Sequence, residues 1–152
     1  MRRFSFPLEG LLRVRQVAEQ EAEQGLQWAR RRWQAAQGLL ARREEEYRRA
    51  LGCWEEGLLA QAEAPLLTLM VCYCRRKEQE RWRAAQRVAE AQAEVERCLE
   101  EYWLRRRERE LVEELRRRAW RQWRAEEERA EQPRADERAL RDFALGRRAK
   151  KR

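Results

Sequence analysis

The chain has 152 residues, 42% of them charged and none of them histidine, with a formal net charge of +8. This composition excludes histidine-based acid–base catalysis, a histidine triad and a histidine metal site. Hydrophobic residues make up 43% but depend heavily on Ala, which buries little area, so the core should be a narrow seam and residues 1–152 one architectural unit.

The opening MRRFSFP sets Phe4 and Phe6 before a helix start, with Ser5 as the candidate cap and Pro7 in the first turn. From there a four-three spacing runs through Leu8, Leu12, Arg15, Glu19, Ala22, Leu26, Ala29, Trp33, Ala36, Leu40, Arg43, Tyr47, Ala50, Trp54 and Gly57. That is a heptad seam, and it predicts a first helix over about 7–60. Gly52 and Gly57 weaken the helix, and Pro65 cannot continue it but suits the first turn of the next, so a fold-back is expected over about 57–65.

The second arm, over about 65–131, repeats the stripe through Leu67, Met70, Cys74, Lys77, Arg81, Ala84, Val88, Ala91, Val95, Cys98 and Tyr102. Arg105, Arg109 and Arg116 then interrupt it beside Leu104, Leu111 and Leu115, which predicts a sideways shift of the stripe in a stutter. Each arm has one apolar stripe, so the simplest burial is an all-α, two-helix antiparallel coiled-coil hairpin, an elongated rod of about 80 to 100 Å. With a turn centred near Glu63, Trp54 should lie by Tyr73 and Cys74, Leu40 by Val88, Leu26 by Tyr102 and Leu12 by Leu115. Phe4 and Phe6 should reach Trp120 and Trp123. The second arm is longer, so residues beyond Arg124 project unpaired. Pro133 is expected to break the helix ahead of a basic C-terminal segment over about 133–152.

Much of the charge should pair locally, Glu44 with Arg48, Glu45 with Arg49, Glu101 with Arg105, Glu113 with Arg117 and Glu114 with Arg118. Cys53, Cys72, Cys74 and Cys98 lack framework spacing and read as reduced core residues, with Cys72 and Cys74 on nearly opposite helix faces. The Glu44, Glu45, Glu46 run has no pocket to desolvate it, and no Gly-rich phosphate loop is present, so no enzymatic activity, cofactor or metal site is expected. Of the seven tryptophans, Trp33, Trp54 and Trp123 fit the seam while Trp28, Trp82, Trp103 and Trp120 fall on its flanks, as contact points or as indoles folded over the alanines. With no signal peptide and no span-length apolar run, a soluble, intracellular protein is expected.

Three stretches coincide with one family. Phe4, Phe6, Leu8, Leu11, Leu12 and Arg15 at the start, Glu46, Tyr47 and Arg48 before the fold-back, and Leu140, Asp142, Phe143, Ala144 and Arg147 at the end resemble the FliJ family of the bacterial flagellar export apparatus. Arg141 replaces an acidic position of that ending, and Gly146 intervenes. The resemblance implies a non-enzymatic, central-stalk-like coiled coil of type III protein export, similar to a rotary-ATPase gamma subunit. It would be cytoplasmic and peripherally associated with the inner membrane at the flagellar base, with the injectisome stalk proteins as a close variant. The implied partners are the hexameric export ATPase, the cytoplasmic domain of the export gate membrane protein, the ATPase regulator and export chaperones. Carried over by position, gate contact would use Ala36, Leu40, Arg43 and Tyr47 with Met70, Cys74, Lys77 and Arg81, although only Leu40 and Tyr47 match the family in type.

From the distribution of charge and aromatics, ring contact is expected at Phe4, Phe6, Arg116, Arg117, Trp120, Trp123, Arg124, Phe143 and Arg147. The alternative is a basic, Arg-rich coiled coil that binds a nucleic acid or the ribosome through the segment Arg105 to Arg129, which has no stacking platform and interleaves glutamates with its arginines.

Overall fold

The computed structural model describes residues 3–149, without the side chains of 134, 135, 142 and 144–149. Two helices account for nearly all of it, α1 (Glu9–Leu59, 51 residues) and α2 (Ala64–Ala149, 86 residues), with no strand among the described residues. Their apolar stripes face each other, so the fold is the antiparallel helical hairpin that the two heptad patterns call for.

At the start, the Glu9 amide donates to the Phe6 carbonyl at 3.1 Å, closing a turn over Pro7 and Leu8. Pro7 therefore precedes α1 rather than occupying its first turn, and Ser5 lies exposed upstream of that turn. Glu9 supplies the negative charge that suits a helix N-terminus.

The fold-back is shorter than expected and is closed by hydrogen bonds. The Ala62 amide donates to the Gly57 carbonyl at 3.0 Å and the Gln61 amide to the Leu58 carbonyl at 3.1 Å, the bonding pattern of a Schellman cap. Its left-handed position, where glycine is usual, is held by Gln61 with φ 54°. The Glu63 carbonyl then accepts from the Leu66 and Leu67 amides at 3.0 and 3.1 Å, and Pro65 falls in the first turn of α2. Gly57 does not end α1; it serves packing, because a Cβ there would stand 2.8 Å from Met70 Sδ.

The helices form two compact units. In Ala18–Arg105, the buried residues are Leu26, Ala29, Gly57, Ala50 and Ala84, and the other expected seam positions are half-buried. In the other unit, made of the chain through Val17 and from Arg106 onward, Phe6, Leu12 and Val112 form a buried cluster with Phe4 and Ala119 packed against it.

Several expectations need correction. Leu12 packs with Val112, not Leu115, a displacement of about one turn. The stripe does not shift to Leu104, Leu111 and Leu115, which are all exposed; it stays on Arg105, Arg109 and Val112. Arginine stems can cover a seam while their heads reach outward, and here Arg105 pairs with Glu101 at 3.7 Å and Arg109 with Glu113 at 2.5 Å. Pro133 lies inside α2, which runs on to Ala149, so neither the stop near 131 nor a separate segment from 133 is seen. Its position is exposed, so water can satisfy the carbonyl of Arg129 that the proline leaves without a donor. Cys53 and Cys72 are exposed rather than in the core. Arg48 pairs with Glu45 at 3.2 Å instead of Glu44, while the other four local pairs form as expected.

The aromatic clasp does form, with Phe4 and Trp123 ring centroids 5.8 Å apart. Past Trp123, α2 has no residue of α1 left to face, and the stretch Arg124 to Pro133 is exposed apart from a half-buried Glu127.

Candidate functional site

In the unit Ala18–Arg105, the seam spacing brings Arg43 of α1 and Lys77 of α2 to facing positions, where two carboxylates meet them. Glu46 accepts from Arg43 at 2.8 Å and from Lys77 at 2.9 Å; Glu80 accepts from the same two cations at 3.1 Å each. Four alternating charges thus bridge the arms, and Arg76 adds a contact to Glu80 at 3.3 Å. Hydrogen bonds from Lys77 and Arg43 hold the Glu46 carboxyl below the usual carboxylate range, and Lys77 does the same to Glu80. The Lys77 ammonium is raised in turn, first by its bond to Glu46, and the Arg43 guanidinium likewise. Arg81 lies over the Tyr47 ring at 4.7 Å, and the Lys77 ammonium is 5.6 Å from the centre of Tyr73.

Of the eight seam residues carried over to gate contact, Arg43 and Lys77 belong to this tetrad and Tyr47 and Arg81 stack. Met70 packs on Gly57, and Cys74 Sγ donates to the Ala50 carbonyl. Ala36 lines a cleft with Ala29, Arg32, Arg87, Glu90 and Ala91, and Leu40 is half-buried. All eight are partly covered by the seam, so a partner would reach their edges. Sequence reasoning missed Glu46 and Glu80 as bridging groups. The signal was present, because each stands three residues beyond a seam cation, on arms predicted to face each other. It also missed the open apolar surface of Leu58, Leu59, Leu66, Leu69 and Tyr73 around the fold-back. Between Arg49 and Arg75 there is no basic residue, only Glu55, Glu56 and Glu63.

The other unit has a different chemistry. Phe4, Glu113, Glu114, Arg116, Arg117, Trp120 and Arg121 line an open cleft of about 740 Å³. Arg116 pairs with Glu9 at 3.1 Å, Arg121 with Glu114 at 3.2 Å, and Arg124 lies 5.3 Å from the centre of Trp120. Arg15 and Glu108 add an interhelical ion pair at 2.6 Å. Of the residues expected to contact a ring, Phe6 is buried and braces the cluster, Phe4 and Trp123 form the clasp, and Arg117, Trp120 and Arg124 are exposed. Phe143 is exposed further along α2, and the side chain of Arg147 lies outside the described residues. Among the described residues no group of three or more His, Cys, Asp or Glu is placed to hold a metal, and no helix is long and apolar enough to cross a membrane. Half-exposed aromatics beside arginines suit protein recognition.

The family model described as the flagellar FliJ protein matches residues 4–148, from the aromatic clasp through the fold-back to the basic end of α2. The chain belongs to the FliJ family. No curated protein matches it. A solved structure described as a YscO homolog from Chlamydia trachomatis is 22% identical, with a TM-score of 0.66 over 96% of this chain and 99% of that one, and so shares the fold. This FliJ-family hairpin is thus a coiled-coil protein related to type III export, and the motifs at Phe4 to Arg15 and Leu140 to Arg147 both lie within the matched span.

Proposed function

We propose that this FliJ-family protein is a non-enzymatic central-stalk component that promotes the hexameric export ATPase and links it to the cytoplasmic domain of the export gate, at the cytoplasmic face of the inner membrane. The observation that carries the reading is the family match over residues 4–148. The contrast in surface chemistry supports a division of labour. The unit holding the basic extension of α2 offers diffuse positive charge and exposed Trp120, which suit a ring that must tolerate rotation. The unit with the fold-back offers Leu40, Tyr47, Met70 and an apolar surface whose charges between Arg49 and Arg75 are the three carboxylates of Glu55, Glu56 and Glu63, which suit a fixed contact with the gate. The ATPase regulator and export chaperones are further partners on this reading.

The nucleic-acid reading has less support, because Arg106, Arg109, Arg116, Arg118, Arg121 and Arg124 all have carboxylate partners. The test is to add the purified protein to the export ATPase and, separately, to the gate's cytoplasmic domain at physiological salt. Faster ATP hydrolysis and saturable gate binding are expected. No effect on either, with salt-sensitive RNA binding in their place, would overturn the reading.

A further inference from the structure

Cys53 and Cys74 stand on different arms beside the fold-back, and nothing in the export reading uses their sulfur chemistry. Cys74 Sγ donates to the Ala50 carbonyl at 3.3 Å. In an α-helix that carbonyl points one turn onward, to the level from which Cys53 projects, so the Cys74 sulfur rests against the Cys53 turn. Burial raises the Cys74 thiol first, and the nearby Cys53 raises it further. Cys53 is exposed and Cys74 half-buried, so an oxidant in solution meets Cys53 first.

We propose that Cys53 and Cys74 form a two-thiol oxidation site in which a peroxide acts on Cys53 and Cys74 closes an interhelical disulfide. The Cys53 sulfur attacks hydrogen peroxide, the O–O bond breaks, and Cys53 leaves as a sulfenic acid with one water released. The Cys74 sulfur then attacks the sulfenic sulfur; the S–O bond breaks, the Cys74 proton and the hydroxyl leave as a second water, and both sulfurs are oxidised at the expense of one peroxide. The bridge closes a loop of about 20 residues around the fold-back and ties the arms beside the Gly57 and Met70 contact. Cys98 is about 36 Å further along α2 and cannot compete, whereas Cys72 is exposed but points roughly 200° around the helix from Cys74.

The test uses the full chain carrying Cys72→Ser and Cys98→Ser, at micromolar concentration, treated with hydrogen peroxide. No Lys or Arg lies between Arg49 and Arg75, so trypsin leaves both remaining cysteines on the peptide Ala50 to Arg75. That peptide should become lighter by two hydrogens, refuse iodoacetamide, and recover both properties after dithiothreitol. The oxidised monomer should also melt at a higher temperature than the reduced one, a difference absent from a Cys53→Ser variant. Accumulation of sulfinic or sulfonic acid on Cys53 without the bridge, or disulfide-linked dimers as the main product, would overturn the proposal. Circular dichroism of each reduced variant confirms that the helices are intact.

Discussion

The two compact units share one topology but hold their arms together differently. In Ala18–Arg105 three of the most buried side chains are alanines, Ala29, Ala50 and Ala84, and the four-charge bridge of Arg43, Glu46, Lys77 and Glu80 lies in the same seam. In the other unit the contact is made by bulk, with Phe6, Leu12 and Val112 buried and Phe4 against Trp123. A seam of small residues allows close approach of the backbones and is vulnerable to enlargement. A clasp of large side chains is vulnerable to truncation.

The contrast predicts opposite sensitivities. Leu12→Ala removes a side chain that is 2% exposed and should cost about 2–5 kcal/mol in urea unfolding, the largest single effect. A loss below about 1 kcal/mol would mean that the clasp collapses around the gap and is not the well-packed element described here. Ala84→Leu, at a site 3% exposed, should instead cost about 1–3 kcal/mol by overpacking. If Ala84→Leu proved neutral or stabilising, the seam would have room to spare and the contrast would fail.

Two smaller effects sharpen the picture. Gln61→Gly relieves a left-handed backbone and should raise stability by up to about 1 kcal/mol, offset in part by the greater freedom of glycine in the unfolded chain. The smallest effect is that of pH, because the bridge is partly open to solvent and screened. Glu46 and Glu80 titrate lower in the folded protein than in the unfolded chain, so as pH falls the unfolded chain takes up protons first. Their contribution is present above the ordinary carboxylate range and is lost as pH drops through and beneath it. The raised Lys77 behaves oppositely, contributing fully below the ordinary lysine range and losing that contribution as pH rises past it. Melting temperature should therefore decline on acidification below about pH 5, and less steeply in Glu46→Gln. Equal slopes for the two proteins would remove the bridge from the account.

Much of this fold was legible in the heptad stripe of the first arm. Every expected seam position from Leu12 to Gly57 is at least partly covered, and Leu8 alone is exposed. Trp28, Trp82, Trp103 and Trp120 are exposed as their flanking positions suggested. The second arm was harder because polarity scales treat Arg105 and Arg109 as outward residues, whereas their aliphatic stems pack and their heads find glutamates. Pro133 misled for a related reason: in this exposed stretch the carbonyl it frees is open to water, which removes one part of the proline penalty. The end of α1 could not be read from glycine because the residue in the left-handed position is Gln61. The bridging role of Glu46 and Glu80 required the register of both arms at once, which no single-helix pattern contains.

The central claim, that the two units serve different partners, is tested most directly by measuring ATPase stimulation and gate binding in parallel for two variants. Deleting the residues after Arg124 removes the part of α2 that has no α1 partner; Tyr47→Ala removes the ring beneath Arg81. With helicity verified by circular dichroism, the account predicts that the truncated protein loses ATPase stimulation and keeps gate binding, and that Tyr47→Ala does the reverse. Full activation by the truncated protein, or equal loss of both activities in either variant, would contradict it.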